Sequence, residues 1–206
     1  MGVISNGTTL LDAGALTSSL TGSMTLIKTL TASSSATLDF LNGTSSVVFD
    51  DTYDRYLFKF INMHPATNGA DLTFQADTGT NTNYNITMTT TAFYSENTEA
   101  SGGGGIGYSG ARDQADGTAF QQISDDIGDG NDESASAELT VFNPSSTTFV
   151  KHFISRCMGV ESRDIAQDNF VGGYANTTSA LTGVRFQFFS GDIGAAKIKL
   201  YGIKDS

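Results

Sequence analysis

Apolar and polar residues alternate along most of this chain with a period of two, the spacing at which successive side chains of a strand point to opposite faces. Ala36, Leu38 and Phe40 alternate with Thr37 and Asp39, and Asn42-Gly43 follows as a turn signal. Val47 to Phe49 is another short apolar run. Tyr56, Phe58 and Phe60 interleave with Leu57, Lys59 and Ile61, so this segment is apolar on both faces and is expected in the middle of a sheet. After a second turn at Asn68-Gly69, the alternation resumes at Leu72, Phe74 and Ala76. Tyr84, Ile86, Met88 and Ala92 share one face, with Asn85, Thr87, Thr89 and Thr91 on the other, as in a half-solvated strand.

The stretch from about 95 to 135 breaks the pattern. It holds the glycines Gly102 to Gly105 and then Asp125, Asp126, Asp129, Asp132 and Glu133. A loop of this length inside a compact domain is usually functional or mobile. Alternation returns at Ala137, Leu139 and Val141, at Phe149 to Ile154, at Val184, Phe186 and Phe188, and at Ala196, Ile198 and Leu200. The best helix candidate is the short Ile165 to Phe170 segment. Roughly eight to ten strands without β–α alternation predict an all-β, antiparallel β-sandwich, and a jelly roll fits the length best. Residues 1–22, punctuated by Gly2, Gly7, Gly14 and Gly22, read as an extended N-terminal arm, and residues 23–206 as one sandwich domain. Such an arm orders only against something else, which makes Val3, Ile4, Leu10, Leu11 and Leu16 its candidate interaction residues.

Composition narrows the class. Charged residues are 16% of the 206, below the roughly 25% of an average soluble domain. Thr, Ser, Asn and Gly fill the difference and favour strands and turns. The net charge of −11 repels phosphate backbones, so nucleic acid is not an expected partner. No apolar run is long enough for a membrane helix. One cysteine, Cys157, excludes an intrachain disulfide, and its neighbours Ile154 and Met158 suggest a buried thiol.

Candidate chemistry is sparse. Nucleophilic catalysis of the Ser-His or Cys-His kind needs an imidazole, and the chain has two. His64 precedes Pro65 in an expected turn and His152 lies in an apolar strand, so each reads as a hydrogen-bonded structural residue. One cysteine and two distant histidines do not make a zinc site. The glycines from Gly102 to Gly107 match G-x-G-x-x-G, but no helix follows to receive a pyrophosphate. Asp129, Asn131 and Glu133, spaced at i, i+2 and i+4, are the only cation candidates, for calcium, and they lack the remaining ligands of an EF-hand. A solvated acidic loop is the plainer reading. No cofactor and no enzymatic activity are expected.

Two segments carry a resemblance. Asp51-Thr52-Tyr53-Asp54-Arg55-Tyr56-Leu57-Phe58-Lys59-Phe60-Ile61-Asn62 runs on through Met63-His64-Pro65-Ala66-Thr67-Asn68-Gly69-Ala70, and the second segment is Ile198-Lys199-Leu200-Tyr201-Gly202-Ile203-Lys204. Together with the opening Gly2-Val3-Ile4-Ser5-Asn6-Gly7-Thr8-Thr9, they resemble virion proteins of tailed phages, of the marine and cyanobacterial kind. The resemblance covers about a third of the chain and implies a jelly-roll-like domain on the particle. It leads to the expectation of a capsid decoration or cement subunit, assembled in the host cytoplasm. That subunit would be a homotrimer held on the major capsid protein of the virion surface. The alternative is a tail or collar module whose loops recognise a host receptor or glycan.

Overall fold

The computed structural model describes residues 3–6, 8–12, 15–16, 23–80, 82–100 and 103–204. No helix occurs among them. The strands are β1 (Val3–Ser5), β2 (Thr8–Asp12), β3 (Ala15–Leu16), β4 (Met24–Ser35), β5 (Leu38–Leu41), β6 (Arg55–Pro65), β7 (Leu72–Thr78) and β8 (Met88–Thr98). They continue with β9 (Gly104–Tyr108), β10 (Gln121–Gln122), β11 (Ala135–Phe142), β12 (Lys151–Glu161), β13 (Ile165–Ala175), β14 (Leu181–Phe188) and β15 (Ile193–Ile203).

Two antiparallel sheets pack as a sandwich, as the alternation predicts, but they are unequal. The large sheet has eight strands in the order β4-β15-β6-β11-β12-β13-β8-β9, and the small one four, β10-β7-β14-β5. Early strands pair with late ones: β4 with β15, β5 and β7 with β14, β8 with β13. The C-terminal strand β15 therefore lies between β4 and β6, one strand in from the edge of the large sheet. The central place expected for Tyr56 to Ile61 is observed, since β6 is flanked by β15 and β11.

Between the sheets, alternate residues interlock as aromatics. Phe186 on β14 meets Phe58 at 5.1 Å, Phe60 at 4.9 Å and Phe40 at 6.1 Å between ring centres, all edge to face. Phe74 on β7 meets Phe153 on β12 at 4.9 Å in the same way. Edge-to-face pairs place the positive ring edge on the negative face and stabilise beyond area burial alone. Both turn signals hold: Gly43 (φ 79°) and Gly69 (φ 71°) take the left-handed conformation that only glycine adopts without strain. Gly202 is also needed. Its open Cα side receives the ring of Tyr53, which a Cβ would strike.

Four expectations need correction. Ile165 to Phe170 is not helical but opens β13, where Ile165, Gln167, Asn169 and Val171 face inward. Tyr84 and Ile86 precede the strand, which begins at Met88, and Tyr84 itself sits at φ 47°. The span 95–135 is less a loop than expected. The strand β8 runs on to Thr98, β9 returns beside it, β10 pairs with β7, and Gln121, Ile123, Ser124 and Ile127 are buried. Finally, β1, β2 and β3 pair with one another in a small antiparallel sheet, so the described part of the arm is ordered against itself. Leu11 pairs with Val3 and Leu16 across it. Ile4 is exposed, and the side chains of Val3, Leu10, Leu11 and Leu16 lie outside the described residues.

Candidate interaction surface

The small sheet and the span 109–128 cover the inner face of the large sheet. Among the described residues no second layer covers the outer face. Cross-strand register places one row of side chains along it: Tyr108, Phe93, Phe170, Arg156, Glu138, Lys59, Lys199 and Thr29, each the partner of the next. One end of the row is aromatic and the other charged. Phe93 and Phe170 stack at 4.7 Å with planes 4° apart, and the guanidinium of Arg156 lies 5.1 Å from the centre of the Phe170 ring. Asp168 holds Arg156 by paired hydrogen bonds at 2.6 to 3.1 Å, and Glu138 takes Lys59 at 2.8 Å.

Around this row the face is apolar and wet. Ile61, Phe93, Ile106, Tyr108, Ile154 and Met158 are 39–84% exposed, and all six project from it. Scattered exposed apolar residues are ordinary, but a group on one sheet face is characteristic of a contact surface. Lys59, Ile61, Ser136, Glu138, Arg156, Met158 and Asp168 line a shallow hollow of about 510 Å³ in its middle. A bulge shapes it: the register of β6 against β11 shifts by one residue there, and Asn62 sits at φ 50°. Its backbone N–H donates to the Ser136 hydroxyl at 3.2 Å. Ile61 and Asn62 are consecutive yet both exposed, because a bulge re-aims side chains locally.

The face is also cationic for this protein. Lys59, Arg156, Lys197 and Lys199 stand on it, and among the described residues the ion pairs on it are those to Glu138 and Asp168, in a chain with 22 acidic and 11 basic residues. Lys59 and Lys199 are direct cross-strand partners, an unfavourable juxtaposition of like charges. Among the described residues, no ion pair engages Lys197 or Lys199.

The candidates read from the sequence fall elsewhere or find structural employment. The carboxylate of Glu133 folds back to accept the Gly130 N–H at 2.6 Å. Asp129 and Asn131 are exposed beside it, and Asn68 accepts the Asp129 N–H at 3.2 Å. No three His, Cys, Asp or Glu side chains among the described residues are placed to hold a metal ion. His64 contacts the Glu133 carbonyl through Nδ1 at 2.8 Å, a structural role as expected, although it lies in β6 rather than a turn. His152 is exposed and meets Tyr174 edge-on. Gly104 to Gly107 of the glycine run lie in the edge strand β9, and no helix follows among the described residues. Cys157 is fully buried, and burial pushes its thiol up to about 12.

Sequence reasoning missed a polar network under the span 109–128. Arg112 pairs with Asp125, donates to Asn169 and Gln167 on β13, and lies 5.4 Å from the centre of the Tyr94 ring. The fully buried Glu161 accepts from Gln167 and pairs with Arg163, which also reaches Asp126. Asp71 accepts from the Asp126 N–H at 2.8 Å and from Gln122 at 2.6 Å. Burial holds the carboxyls of Asp71 and Glu161 above their ordinary range. The network is part-buried and fastens the span to the sheet, so it is scaffold.

No protein-family model matches the chain, and no curated protein or solved structure matches it either. The functional reading rests on the surface itself and on the resemblance of the segments Asp51 to Ala70, Ile198 to Lys204 and Gly2 to Thr9.

Proposed function

We propose that the chain is a non-catalytic assembly subunit of a tailed-phage particle, a decoration protein on the capsid surface. The observation that carries this reading is the uncovered face of the eight-stranded sheet, where six large apolar side chains stand in water around a cationic row. An antiparallel sheet that leaves one face to water normally carries polar side chains there, so an open face with this apolar composition is suited to a protein contact. The resemblance supplies the particle as the setting. The segment of residues 1–22 is the proposed anchor on the major capsid protein, and the body contributes contacts to neighbouring subunits.

Sugar recognition is less well supported on this face. A glycan platform needs free ring faces, whereas Phe170 has Phe93 on one side and Arg156 within 5.1 Å of its centre. A cryo-EM reconstruction of particles carrying this chain tests the proposal. Regular copies on the icosahedral shell are expected. Density confined to the tail or collar would replace decoration with adhesion, and absence from purified particles would overturn the reading.

A further inference from the structure

We infer that the open face of the large sheet binds a second copy of this chain, face to face about a two-fold axis. The inference deepens the assembly reading by naming the partner of the same surface.

Charge decides the partner. Among the described residues no carboxylate pairs with Lys197 or Lys199, and Lys199 stands opposite Lys59, so the cluster is eased by a further anion. The matching anions belong to the acidic turn after Ile127. The carboxylates of Asp129 and Asp132 are exposed and have no hydrogen bond or ion pair among the described residues. That turn borders the same face: Asn62, His64, Asn131, Asp132, Glu133, Ser134 and Ala195 line one hollow, and Ala195 is two residues from Lys197 on β15. Cations and anions therefore sit side by side on one surface, with the Ile61 and Met158 hollow next to both.

A surface of this kind is self-complementary. In a two-fold interface each patch meets the patch it is matched to, twice over. An axis through the hollow brings Lys197 and Lys199 of one copy to Asp129 and Asp132 of the other, and buries Ile61, Ile154 and Met158 at the centre. Size is adequate. Seven strand spacings of about 4.8 Å and the eight residues of β11 give a face of roughly 900 Å², against the ~800 Å² per partner of a stable complex. Lys59–Glu138 and Arg156–Asp168 enter already paired, so their burial leaves no lone charge.

The test is sedimentation velocity of the full chain across micromolar concentrations, at low and high salt. A dimer that weakens with salt is expected. Reversal of one side, K197E with K199E, should weaken association roughly tenfold or more, and D129K with D132K should do the same. All four changes together should restore the dimer. Folding of each variant is checked by circular dichroism. A wild-type monomer at every concentration overturns the inference, as does a dimer indifferent to both reversals or a quadruple variant that stays monomeric. The same preparations separate the two readings. A monomer that still decorates particles removes the pair and leaves the particle role, whereas a salt-sensitive dimer absent from particles does the reverse.

Discussion

The inner face of the large sheet is covered in two ways, side by side. Over β6, β11 and β12 lies the small sheet, with Phe186 and Phe74 driven edge-on into Phe58, Phe60 and Phe153. Over β13 and β8 lies the span 109–128, which has little apolar mass to offer. Arg112 and Asp125 brace it internally, and it is fastened by Arg112 to Asn169, by Gln121 to Thr90 at 2.8 Å, and by Ile127 N–H to the Ala70 carbonyl at 3.0 Å. The first cover gains from every apolar atom it removes from water and tolerates small shifts. The second gains only if each buried polar group finds its partner, so it is directional and vulnerable to single losses.

The largest test of this contrast is Phe186→Ala. It should cost about 3–5 kcal/mol, read as a fall in the urea midpoint of the whole molecule, because four aromatic neighbours lose one partner. A cost below about 1 kcal/mol would place the core elsewhere. Arg112→Ala should cost less, about 2–3 kcal/mol, by stranding Asp125 and Asn169. Its signature is local. Hydrogen exchange at the Ile123 and Ile127 amides, which donate to Leu72 and Ala70, should quicken while β6 and β15 stay protected. Uniform loss across both regions would show that the two covers unfold as one.

The smallest effect is in pH. Burial raises the Glu161 and Asp71 carboxyls, so the folded state holds their protons more tightly than the unfolded chain does. Their contribution to stability is therefore present in acid and lost as pH rises through the folded values. Protection of the Ile127 amide, corrected for intrinsic exchange, should increase from neutral pH towards about pH 5. Glu161→Gln should flatten that slope. An unchanged slope would assign it to other groups.

The same contrast explains what could be read from the sequence. Where the cover is apolar, alternation is visible, and Tyr56 to Phe60, Leu72 to Ala76 and Val184 to Phe188 announce themselves as strands. Where the cover is polar, the inward positions are Gln167 and Asn169, facing Glu161 and Arg112, so β13 loses its period and reads as a helix. The span 95–135 hides for the same reason, because Gln121 and Ser124 are buried polar residues in a stretch rich in glycine and aspartate. The open face left a trace of another kind. Ile61, Ile154 and Met158 point outward and were visible only as excess hydrophobicity, since one strand's pattern cannot distinguish a buried outer layer from an uncovered one.

Cys157 has a practical consequence. Its thiol lies inside β12, fully enclosed and held in the protonated form at ordinary pH, so a thiol reagent reaches it only when that strand opens. The chain thus contains its own unfolding clock, and the rate of modification in the native state reports excursions of the large sheet's centre. A cysteine placed on the surface would meanwhile be the single site available for a fluorophore or spin label, with no native residue to remove first.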